Sequence, residues 1–152
     1  MDTTERTTHV NEPVTILGRH VRTDPARSAE DIPALWAEVT SGALLASVPG
    51  RLSGDVYAVY SDLEHAGRTN DGAFTFTIGA PVAEGSVAPP GLSLVTIPRS
   101  RRVVFPAPEN DPSRIIEAWQ LAWASDDAEK TFLCEYELYA DDGTVAVHLG
   151  VR

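Results

Sequence analysis

The stretch Thr131-Phe132-Leu133-Cys134-Glu135-Tyr136-Glu137-Leu138-Tyr139 decides how this chain is read. It is rich in aromatic and aliphatic residues and holds neither Gly nor Pro, the composition of a β-strand. Successive side chains on a strand point to opposite faces. Phe132, Cys134, Tyr136 and Leu138 then form a plain core face, and Leu133, Glu135, Glu137 and Tyr139 form the other. Two carboxylates between Leu133 and Tyr139 are either a solvated sheet face or acid placed among aromatics, a chemistry suited to a lipophilic cation.

Working outward, Asp141-Asp142-Gly143 is a hairpin turn signal, and residues 144–152 close the chain as a strand with Val145, Val147, Leu149 and Val151 on one face. Upstream, Asp111 caps a helix whose first residue is Pro112. Ile115, Ile116, Trp119, Ala122 and Trp123 are its apolar stripe. Before it stand strands at 92–97 and 101–105, joined by Pro98-Arg99-Ser100 read as a hairpin turn, with 106–110 as loop.

The first half follows the same plan. Residues 13–21 read as a strand. Asp31 reads as a helix N-cap with Pro33 in the first turn. Ile32, Leu35, Trp36 and Val39 fall at i, i+3, i+4 and i+7, one stripe of an amphipathic helix. Ser41-Gly42 ends it, and residues 43–48 leave room for one further short turn. Residues 55–60 and 73–82 read as strands, and the Pro/Gly-rich segment 83–91 crosses between halves.

Each half is therefore strand, helix with a central Trp, strand, strand. Trp36 answers Trp119, Tyr57-Ala58-Val59-Tyr60 answers Tyr136-Glu137-Leu138-Tyr139, and 74–79 answers 145–150. The expected fold is α+β, two tandem units (about 13–83 and 92–152) about a pseudo-twofold axis, forming a curved antiparallel sheet with two main helices. Residues 1–11 read as a flexible leader and 12–152 as one domain. In this alignment Ala58 sits where Glu137 sits, so a carboxylate present in one copy was not needed to fold the unit.

Composition narrows the function. The 152 residues carry a formal net charge of −10, against a nucleic-acid binder, which needs a basic stripe. Arg99, Arg101 and Arg102 are the one basic run and read as a solvated hairpin tip. The single Cys134 excludes an internal disulfide and reads as a small buried hydrophobe. No signal peptide or stretch of about 20 apolar residues appears, so the expected location is the cytoplasm, with no membrane contact. His9, His20 and His65 show no metal-ligand or triad spacing, and no metal, cofactor or catalytic residue is expected.

The chain resembles the GyrI-like effector-binding domains, the ligand modules of AraC-type and multidrug-sensing transcription regulators. The resemblance rests on Ile32-Pro33-Ala34-Leu35-Trp36, Val56-Tyr57-Ala58-Val59-Tyr60-Ser61-Asp62 and Phe76-Thr77-Ile78-Gly79. It continues through Gly91-Leu92, Ile97-Pro98, Val103-Val104-Phe105, Trp119 and Glu135-Tyr136-Glu137-Leu138-Tyr139, spanning about 13–152. It implies a cleft lined by aromatics with one acid that meets a lipophilic cation. Glu137 is the matching acid, and Tyr60 and Tyr139 match the family aromatics. Glu135 departs from the pattern as a second carboxylate; two on one face repel, which implies protonation or pairing of one. No helix-turn-helix segment is present, so the module is not expected to bind DNA itself.

The reading is a stand-alone module, monomer or homodimer, that binds a hydrophobic cationic small molecule. Trp36 and Trp119 are either core between helix and sheet or ligand walls as well. His148 shares the sheet side of Glu137 by alternation, either paired with a carboxylate or at the surface. Two alternatives come with the resemblance: a hydrolase opening cyclopropane rings of natural products, for which Glu137 with Tyr60 or Tyr139 would supply an acid or base and an aromatic pocket, and a protein-partner role like that of gyrase inhibitors.

Overall fold

The strand that carries Glu135 and Glu137 lies at the middle of an eight-stranded antiparallel sheet. The structure, a computed structural model, describes residues 6–152. In chain order the strands are β1 (Arg6–Val10), β2 (Val14–Thr23), β3 (Val56–Ser61), β4 (Phe74–Val82), β5 (Ser93–Ile97), β6 (Ser100–Pro106), β7 (Glu135–Tyr139) and β8 (Val145–Val151). Helix α1 (Ser28–Ser41) follows β2, and α2 (Ile115–Ala124) follows β6. The spatial order is β1-β6-β8-β7-β3-β4-β2-β5, and the sheet curls into a half-barrel.

That order is the internal repeat made visible. β2-α1-β3-β4 and β6-α2-β7-β8 are the two units, and they meet at β3 and β7. The edges are exchanged. β1 precedes the first unit but pairs with β6 of the second, and β5 precedes the second unit but pairs with β2 of the first. Each half therefore covers the outer strand of the other, β6 by β1 and β2 by β5, and the short strands β1 and β5 become the edges of the sheet. Residues 6–10 of the expected leader are thus β1, with Val10 packed among the core residues of the adjoining face. Thr7, Thr8 and Val10 are β-branched, but polar neighbours hide that signal. The leader's residues 1–5 lie outside the described residues.

Both helices cover the sheet face that bears Glu137. Leu35 and Val39 of α1 pack on Ala58, Phe74, Phe76 and Ile78. Ala118, Trp119 and Ala122 of α2 pack on Phe105, Val147 and Leu149. The opposite face gathers Ile16, Val59, Ile97, Cys134 and Tyr136. Burial pushes the Cys134 thiol up to about 11, so it is a buried hydrophobe. Among the described residues no helix is long and apolar enough to cross a membrane, and no group of three or more His, Cys, Asp or Glu could hold a metal.

Several boundaries differ from expectation. The central strand starts at Glu135, not Thr131, because Phe132 takes a left-handed conformation (φ 52°) and its carbonyl accepts from the Gly67 N–H at 2.9 Å. The expected alternation therefore holds only from Glu135 onward. Helix α1 starts at Ser28; Asp31 lies inside its first turns, where its carboxylate accepts from Thr23 Oγ1 at 2.8 Å instead of capping. Asp111 does cap, accepting from the Ser113 N–H, though the first turn, Pro112–Arg114, is a 3-10 turn. The hairpin at 141–143 forms, with Ala140 N–H bonded to Thr144 O and Gly143 at φ 94°.

Residues 98–100 do not form a hairpin, since β5 and β6 lie far apart in the sheet. Arg102 is no solvated tip: it is 1% exposed. Its guanidinium donates to Ser100 Oγ and to the Cys134 carbonyl, and lies 5.0 Å from the Tyr136 ring centroid.

Candidate functional site

Glu137 projects from β7 directly opposite Ala58 of β3. The residue is 4% exposed, and its carboxylate meets three neutral donors. Oε2 accepts from Tyr60 Oη at 2.8 Å and from Trp119 Nε1 at 2.7 Å, and Oε1 accepts from Tyr139 Oη. Among the described residues no ion pair includes Glu137. A buried acid without a cation is costly unless hydrogen-bonded, and these donors come from β3, α2 and β7, so both units contribute.

The phenols are held as donors. Burial first, then the charge and hydrogen bond of Glu137, raises Tyr60 well above its ordinary value. The same causes raise Tyr139.

Aromatic packing fixes the donors. The Tyr60 ring lies 4.9 Å from Phe76 and 5.1 Å, edge-on, from Trp119. Trp119 stacks on Trp123 at 5.9 Å. Trp36 meets Tyr139 edge-on at 5.2 Å. Beside this group lies a cavity of about 400 Å³, bounded by Ile32 and Pro33 of α1, Tyr60, Phe74 and Glu137 of the sheet, and Ile115, Ile116, Trp119 and Trp123 of α2. Ala29 also lines it, and the ring of Pro33 deprives the Ala29 carbonyl of its i+4 donor. Ile116 and Trp123 are about half exposed, so the rim on the α2 side is apolar and open to solvent.

The structure thus brings together Glu137, Tyr60 and Trp119 at the cavity. Trp36 and Tyr139 stand behind the carboxylate and do not line it. Glu135 is buried and accepts from the Gly150 N–H at 3.2 Å. Burial raises its carboxyl to about 8, against the opposing pull of Arg102, the Gly150 N–H and Lys130. The upward shift of Glu135 comes from desolvation and not from repulsion by Glu137. His148 is a correction: it pairs in register with Tyr136, on the face away from Glu137, and stacks on that ring at 4.7 Å. Which face a β8 residue takes is set by the β7–β8 register, in which Glu137 faces Val147. Trp123, Phe74, Ile32 and Ile116 join the site only through the fold. Trp123 was detectable, being four residues after Trp119 on the same helix.

The family model for Cass2, integron-associated effector binding protein, matches residues 10–147. The chain belongs to that family. It is a GyrI-like effector-binding domain and a small-molecule-binding module, and Tyr60, Trp119, Glu137 and Tyr139 all lie within the match to the Cass2 model. Solved structures share its fold. An integron cassette protein from the mobile metagenome of Vibrio cholerae superposes with a TM-score of 0.75 at 18% identity, covering 99% of this chain and 97% of that one. The protein SAV2435, solved bound to tetraphenylphosphonium, gives 0.76 at 17% identity, covering 100% and 94%. A putative transcription regulation protein from Staphylococcus aureus gives 0.67 at 16% identity, covering 97% of each. A search of curated proteins found no match.

Proposed function

We propose that the cavity between α1 and α2 receives a lipophilic cation, with Glu137 as its charge partner and Tyr60, Trp119 and Trp123 as its walls. The observation that carries this is the carboxylate itself: nearly fully buried, bordering an aromatic cavity, and met by neutral donors but by no cationic side chain among the described residues. An arriving cation supplies the missing countercharge in a medium of low dielectric. Cation–π contact adds about 0.5–2 kcal/mol per ring, more as water leaves. The half-exposed Trp123 and Ile116 give greasy molecules an entry side. The tetraphenylphosphonium found on SAV2435 is a ligand of this class and a natural first probe.

Titration with tetraphenylphosphonium, read by Trp fluorescence and calorimetry, tests the proposal. Micromolar binding that Glu137→Gln weakens at least tenfold is expected. A neutral aromatic of similar shape, such as tetraphenylmethane carrying a solubilising polyether, should lose little. Equal losses for both probes, or no cation binding at all, overturn the proposal.

A further inference from the structure

We propose that a second cavity, sharing Trp123 with the first, binds an aromatic carboxylate or sulfonate. This cavity measures about 450 Å³ and is bordered by Arg68, Lys130 and Arg152, with Asp127, Trp123 and Phe132. In a chain of net charge −10, three cationic side chains meet there with one acid. That acid is already engaged: Lys130 Nζ donates to Asp127 Oδ1 at 2.7 Å and is 6% exposed.

The two arginines have no such partner. Neither Arg68 nor Arg152 is in an ion pair among the described residues. The main chain of Arg152 is occupied elsewhere, its N–H donating to Glu129 O at 2.8 Å and its carbonyl accepting from Arg101 at 2.7 Å. Guanidinium groups suit planar oxyanions because they donate in a fork that matches both oxygens.

The walls call for an aromatic body behind that oxyanion. Trp123 presents one face to Trp119 and is half exposed. Phe132 sits at positive φ, a costly conformation for a bulky residue, and the Gly67 N–H holds its carbonyl there. The loop that carries Arg68 is thereby tied to the segment that carries Lys130 and Phe132. Charge of the opposite sign from the Glu137 cavity makes the two sites selective for different molecules, not two entrances to one.

The test uses 2-naphthoate and its neutral analogue 2-naphthylmethanol, with affinities measured by calorimetry. The carboxylate is expected to bind at least tenfold more tightly than the alcohol. The double variant Arg68→Ala/Arg152→Ala should erase that preference and leave tetraphenylphosphonium affinity within twofold. Both side chains are exposed, so the variant should fold, as circular dichroism will check. The proposal is overturned if the alcohol binds as well as the carboxylate or if the preference survives in the double variant. It is also overturned if that variant loses tetraphenylphosphonium, which would mark one merged site. Failure of the phosphonium to bind the unaltered protein, with the naphthoate preference intact, sinks the cation proposal and leaves this one standing.

Discussion

Ala58 and Glu137 are cross-strand partners where β3 meets β7, and they are also each other's counterparts in the internal repeat. A residue paired with its own counterpart lies on the pseudo-twofold axis. The neighbours obey the same axis: Tyr57 pairs with Leu138, and Val59 pairs with Tyr136. The two copies thus meet themselves at one position, and there they differ, a methyl facing a carboxylate.

Placing a second acid on that axis tests how dry it is. Ala58 is fully buried, and directly opposed side chains have Cβ atoms about 5 Å apart. Ala58→Glu should destabilise the free protein by about 3 kcal/mol or more, since neither charge has a cation. Tetraphenylphosphonium should raise the Tm of the variant more than that of the unaltered protein. An unchanged Tm without ligand would mean that water reaches Glu137 freely.

The donors around Glu137 can be removed without touching its charge. Tyr60→Phe removes one hydrogen bond to a buried carboxylate, worth about 1.5–3 kcal/mol, and keeps the ring. The free protein should lose roughly that stability in urea unfolding. Its affinity for tetraphenylphosphonium should hold or rise, because the acid is then less satisfied before the cation arrives. Loss of affinity as large as that of Glu137→Gln would show that the hydroxyl, not the charge, is what the ligand reads.

Much of this was legible in the sequence, for identifiable reasons. The doubled pattern of Trp36 with Trp119 and of Tyr60 with Tyr139 gave the tandem α+β plan, because helix stripes and strand alternation are local signals. Glu137 stood out through its absence from the first copy. What escaped depends on distant partners. Nothing local announces that Arg6–Val10 pairs with β6 across some ninety residues, or that Arg102 is buried over Tyr136. The site of His148 required the register of β7 against β8, which a turn one residue different would have reversed. Phe132 breaks the strand through its backbone angle, and no residue type there predicts it.

Two glycines aligned by the repeat separate close approach from mere habit. A Cβ on Gly79 would lie 2.4 Å from the Leu17 carbonyl oxygen and 2.9 Å from Gly18 Cα, all main chain. A Cβ on Gly150 would meet the Thr131 side chain, Oγ1, at 2.8 Å, with the Arg102 guanidinium and the Cys134 carbonyl oxygen both farther away at 3.2 Å. Gly79→Ala should therefore cost about 3 kcal/mol or more, and Gly150→Ala less than half of that. Urea midpoints of the two variants check the order. Equal costs would mean that the β2–β4 pair relaxes as easily as a side chain.

Glu135 makes stability depend on pH in a direction opposite to that of most carboxylates. Burial lifts its folded value from 4.5 to about 8, so the folded chain keeps a proton that the unfolded chain has released. Stability from this group is full below about pH 4.5 and is lost as pH rises toward 8. Each unit is worth about 1.4 kcal/mol, so the loss is at most about 5 kcal/mol. Glu135→Gln keeps an oxygen for the Gly150 N–H and removes the titration. Denaturant unfolding of both proteins from pH 4 to 9 should show the unaltered chain losing stability relative to the variant above pH 5, with the gap levelling near pH 8 to 9. A constant gap across that range would mean that Glu135 is already ionised in the fold, compensated by Arg102 and Lys130.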